Sequence, residues 1–86
     1  YSSKPEDTNA YKLGNYIAYS NTIAATARIS EGLELWNNGI KDQTAMKILI
    51  DSLYEDGSDQ KAQQYLEEAQ HLWPNSFHYE GPKQAA

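Results

Sequence analysis

"DQKAQQYLEEAQHLWPNS", residues 59–76, is the stretch whose reading decides the fold. Ala62, Leu66, Ala69 and Leu72 recur at steps of three and four, which is one face of an α-helix, and the run stops at Pro74. Proline has no amide hydrogen and pushes Trp73 away from helical angles, so the pattern predicts a helix that ends near Leu72. Small residues on a helix face let a second helix axis approach closely, and large ones fill the space beside it. Ala62 and Ala69 therefore read as close-contact points, with Leu66 as the knob between them.

The rest of the chain falls into place upstream of that helix. "EDGSD" at 55–59 is a turn, with Gly57 in the tight position and Ser58 or Asp59 as the next cap. Before it, Asp42 caps a helix whose buried face is Ala45, Met46, Leu49, Ile50 and Leu53. "WNNGIKD" at 36–42 stops the preceding amphipathic run of Ile23, Ala24, Ala27, Ile29, Leu33 and Trp36, with Gly39 free to take left-handed backbone. "YSNT" at 19–22 has two readings: Ser20 or Asn21 caps a new helix, or both lie on the polar side of one long helix. Pro5, Glu6 and Asp7 make a good helix start, followed by Ala10, Leu13, Tyr16 and Ile17 at helical spacing.

Residues 1–5 are expected to form a frayed N-terminus and 6–76 a helical domain. Residues 77–86 form a C-terminal tail without a period, whose Phe77 and Tyr79 are candidates to fold back on the core and whose last residues are expected to be disordered. No segment alternates long enough with period two to make a strand. The fold class is all-α, built of antiparallel helical hairpins with short connections, about four helices in all.

Leu49, Gly57, Ala62, Leu66, Ala69 and Pro74 stand at the spacing of the tetratricopeptide repeat, a helix-turn-helix unit of about 34 residues, and residues 43–76 resemble one such repeat. In that family the glycine makes the turn, the two alanines sit at the helix crossing and the proline closes the unit. Met46, Ile50 and Leu53 depart from the family's tryptophan, small residue and tyrosine, but all three remain apolar. Tyr16, Ala25, Ile29 and Gly32 fall at comparable intervals, and "LELWNNG" resembles "AQHLWPN". Residues 6–39 are therefore read as a divergent second copy, at a spacing a few residues longer than 34, the alternative being an unrelated long helix packed against a single helical hairpin. The resemblance implies a right-handed array with a concave groove. Its lining in the clearer repeat would be Thr44, Lys47, Asp51, Tyr54 and Glu55.

Eighty-six residues with a formal charge of −5 and no cysteine exclude disulfides, thiolate metal sites and a thiol nucleophile. The seven basic residues are scattered singly, so no stripe exists to neutralise phosphates, and nucleic acid is not an expected partner. No apolar run is long enough to span a bilayer. The chain opens on Tyr1 rather than Met, which reads as a processed product or a fragment, and its compartment stays open.

Catalytic signals are weak. Glu67 and His71 share a helix face, but zinc normally takes three or four protein ligands, so no metal and no other cofactor is expected. Glu67–Glu68 and Glu55–Asp56 are adjacent in sequence and point apart on a helix. No nucleophile elbow, phosphate loop or calcium loop occurs. The expected class is a non-catalytic interaction module, binding a protein or peptide in the groove or docking in a larger assembly. The alternative is a small structural subunit with no groove-held ligand. An open groove favours the first, and a groove filled by the chain's own tail the second. An array of fewer than about three repeats is expected to need a neighbour, either a second copy or a larger complex.

Overall fold

Local chemistry sets the helix boundaries. A computed structural model of the chain describes residues 5–79 and Gly81. The expectations for residues 1–4 and 82–86 lie outside the described residues. The described chain is all-helical: α1 Pro5–Tyr19, a short 3₁₀ turn Ser20–Thr22, α2 Ala25–Asn37, α3 Gln43–Glu55 and α4 Asp59–Leu72.

The break after α1 resolves the "YSNT" ambiguity, and neither proposed cap is used. Ala24, which has no side-chain acceptor, stands at the N-cap of α2 in extended backbone, and Thr22 Oγ1 donates back to the Tyr19 carbonyl at 2.7 Å. The ends of α2 and α3 share one device. Ile40 N–H donates to the Leu35 carbonyl at 2.9 Å and Gly39 N–H to that of Trp36 at 3.0 Å. Ser58 N–H likewise donates to Leu53 at 2.8 Å and Gly57 N–H to Tyr54 at 3.0 Å. Such turns need left-handed backbone at the residue after the cap, and Gly39 and Gly57 supply it with φ of 88° and 86°. Asp42 caps α3 by accepting from Ala45 N–H at 3.0 Å, while Ser58 stands at the N-cap of α4 without a capping hydrogen bond.

α3 is the central helix, packed against α2, α4 and α1. Its Met46, Leu49, Ile50 and Leu53 are buried and join Trp36, Ala62, Ala69 and Phe77 in the main core. Ala62 and Ala69 are both 0% exposed, while Leu66 is only partly buried. A second, smaller cluster of Tyr16, Leu35 and Ala45, with Leu13, Ile40 and Ile48 against it, joins α1 to α2 and α3. The packed unit runs past Pro74, because Phe77 is 5% exposed and belongs to the main core. No described helix is long and apolar enough to cross a membrane.

Candidate binding surface

The five residues expected to line a groove project from α3, and most are engaged by the chain itself. Phe77 and Tyr79 lie along this helix. Tyr79 stacks on Tyr54, with ring centroids 6.2 Å apart and 10° between planes, and its hydroxyl donates to Asp51 Oδ1 at 2.5 Å. Lys47 Nζ stands 5.7 Å from the centroid of the Phe77 ring. Glu55 accepts from Nη1 and Nη2 of Arg28, at 3.1 and 3.2 Å. Thr44 remains exposed. Burial, helped by the hydrogen bond to Asp51, pushes the Tyr79 hydroxyl well above the ordinary tyrosine range.

The tail is anchored by aromatic packing. Phe77 stacks on Trp73 at 5.8 Å, Trp73 meets Trp36 edge-on at 6.3 Å, and Trp36 meets Tyr65 edge-on at 6.4 Å. Such pairs are worth about 0.5–1.5 kcal/mol each beyond the area they bury. Trp36 is further held by its indole N–H, which donates to Glu68 at 3.2 Å, and by Lys41, whose ammonium sits 3.6 Å from the ring centroid.

Arg28, the only arginine, is a residue whose role its sequence neighbourhood does not disclose. It reaches from α2 to Glu55 and to Ser52 Oγ, at 3.3 Å, and its own carbonyl accepts from the Tyr16 hydroxyl at 3.0 Å. Tyr16 and Ser52 are both buried, and no buried side-chain polar atom among the described residues lacks a partner. Desolvation pushes the Tyr16 hydroxyl well above its ordinary range, against the opposing pull of the Arg28 charge.

Two open clefts flank this core. One, of about 410 Å³, lies between α1 and α2 and is lined by Tyr11, Lys12, Asn15, Tyr16, Glu31 and Leu35, among others. The second, of about 490 Å³, lies over Trp36 and is edged by Glu68, His71 and Leu72. Glu67 and His71 share that second edge, but among the described residues no group of three or more His, Cys, Asp or Glu side chains converges. The carboxylates with described partners have structural ones: Asp42 has the Ala45 amide, Asp51 has Tyr79, Glu55 has Arg28, Asp56 has Ser58, Glu68 has Trp36 and Glu34 has Lys12 at 2.8 Å. Of the residues expected to be structural, Leu49, Ala62 and Ala69 are buried, Gly57 makes the α3–α4 turn and Pro74 lies in the turn after α4.

No family model matches the chain, and neither a curated protein nor a solved structure matches it.

Proposed function

We propose that the chain is a non-catalytic interaction module of tetratricopeptide-like build that works by packing into an assembly, not by holding a peptide on α3. The observation that carries this reading is the position of the tail. Tyr79 covers Asp51 and Tyr54, and Phe77 lies beside Lys47, where a groove-held peptide would need to sit. A peptide on α3 would first have to displace a core phenylalanine and a hydrogen-bonded, stacked tyrosine. The repeat reading is supported by register. Tyr16 and Leu53 stand 37 residues apart, and so do Ala25 and Ala62, Ile29 and Leu66, Gly32 and Ala69, and Trp36 and Trp73. The first pair lies on α1 and α3 and the next three on α2 and α4, while Trp73 is the cap residue just past α4.

Among the described residues, apolar surface open to docking includes the α1–α2 cleft, where Tyr11 is 73% exposed, and the edge of α4, where Leu72 is 47% exposed. Hydrogen exchange of the protein alone and in the complex recovered from its native source tests the reading. The amides of Ser76 and Phe77, which donate to the Trp73 carbonyl at 3.3 and 3.1 Å, should stay protected in both. Exposure of those amides on complex formation, with new protection along Thr44–Glu55, would transfer the function to a peptide held on α3.

A further inference from the structure

Three of the contacts that seat α2 on the α3–α4 pair, beside the Arg28–Glu55 ion pair and the Trp36 ring contacts, have counterparts earlier in the chain. A Cβ on Gly32 would stand 3.1 Å from Leu49 Cδ1. Arg28 Nη1 donates to Ser52 Oγ at 3.3 Å, and Trp36 Nε1 donates to Glu68 Oε1 at 3.2 Å. Thirty-seven positions before Leu49, Ser52 and Glu68 stand Lys12, Asn15 and Glu31. All three line the cleft between α1 and α2. This cleft is thus the counterpart, on the first hairpin, of the surface that α2 covers on the second, and no described element fills it. Exposure follows the same correspondence. Ile48 packs against the cluster containing Leu35, whereas Tyr11, 37 positions earlier, is 73% exposed.

We propose that the α1–α2 cleft seats an amphipathic helix of a partner protein, laid across α1–α2 as α2 is laid across α3–α4. The partner helix carries a tryptophan whose indole N–H donates to Glu31, as Trp36 donates to Glu68. The inference rests on the docking reading above. Tyr11, Tyr16 and Leu35 supply apolar wall, and a volume of about 410 Å³ holds an indole with part of the helix that bears it. Glu31 and Glu34 line the cleft with Lys12, which pairs with Glu34 at 2.8 Å, so Glu31 is the carboxylate that a Lys or Arg on the flank of the helix would meet. A second copy of this chain is a poor source of the indole. Its Trp36 is buried, and its Trp73 is held between Trp36 and Phe77.

The probe is a synthetic peptide copying residues 24–38, with Glu31→Lys and Glu34→Lys to suit the acidic cleft, titrated into the isotope-labelled full chain and followed by NMR. Amide shifts should gather at Tyr11, Asn15, Glu31 and Leu35. The same peptide with Trp36→Ala should bind at least about tenfold more weakly, because aromatic anchors dominate such contacts. A 1-methyltryptophan version should lose about tenfold, the worth of a hydrogen bond to a charged acceptor. That difference should vanish against a Glu31→Ala protein, whose substitution is on an exposed residue. No binding, shifts confined to α3 and α4, or indifference to the indole N–H would overturn the proposal. Concentration-dependent dimerisation in sedimentation that is lost in Tyr11→Asp would also overturn it, by giving the seat to a second copy. The two readings fail separately. If the cleft refuses the peptide while the tail stays protected in the native complex, the seat is wrong and the docking reading stands. If the cleft takes the peptide while the native partner releases the tail, the docking reading fails instead.

Discussion

The two helical hairpins, α1–α2 and α3–α4, are closed by different side chains. On the second, Leu53 and Ala69 share an all-apolar core. On the first, Tyr16 faces Gly32, and the fit depends on the missing methyl. A Cβ on Gly32 would stand 2.6 Å from the Tyr16 hydroxyl and 3.1 Å from its ring. Because the tyrosine is buried, its hydroxyl needs an acceptor, which the Arg28 carbonyl supplies one turn before Gly32. A larger residue on one helix thus sets a smaller limit on the other, and a polar atom brought inside brings its own partner. The hairpins also differ in their surroundings. α2 covers one side of α3–α4 and the tail lies along α3, whereas a cleft stays open between α1 and α2.

The largest effect should come from the tail. Phe77→Ala removes a core ring and should cost about 3–5 kcal/mol in a urea melt. If the tail were only surface chain, the loss would stay within about 0.5 kcal/mol and the contrast between the hairpins would disappear. Next comes the crossing itself. Gly32→Ala should destabilise by roughly 1–3 kcal/mol through overpacking, and adding Tyr16→Phe should recover part of that by removing the clashing oxygen. Additive costs in this double-mutant cycle would mean that the hydroxyl does not set the size limit. The smallest effect should be alkaline. Both Tyr16 and Tyr79 hold their protons more tightly when folded than a free phenol does. The unfolded chain therefore ionises first. The stability these groups contribute is complete below about pH 10 and falls as pH rises beyond it. Thermal melts from about pH 8 to about pH 11 should show a shallower decline for Tyr79→Phe than for the native chain. An unchanged slope would remove Tyr79 from the set of proton-linked contacts.

Much of the helical frame is legible residue by residue. Gly57 and Pro74 mark their boundaries by backbone chemistry that acts within a turn, and Asp42 caps by reaching only to Ala45. The start of α2 is less legible, because Ala24 occupies the cap position with no side-chain acceptor to signal it. The candidate surface is hardly legible at all. Asp51 and Tyr54 have the right spacing to line a groove, yet spacing on one helix says nothing of what lies across it. Their occupant, Tyr79, sits in a stretch without any period.

The sequence by itself determined an all-helical chain, its turns and the small residues at the helix crossing, since each of these depends on hydrogen bonds or repeats spanning a few residues. Only the tertiary structure decided that the tail closes over α3, that Arg28 ties α2 to Glu55, and that the α1–α2 cleft stays open. Those outcomes join residues more than twenty positions apart through aromatic stacking, a guanidinium fork and the placing of whole helices. No local pattern encodes such contacts, because they arise only when the core has brought the separate faces together.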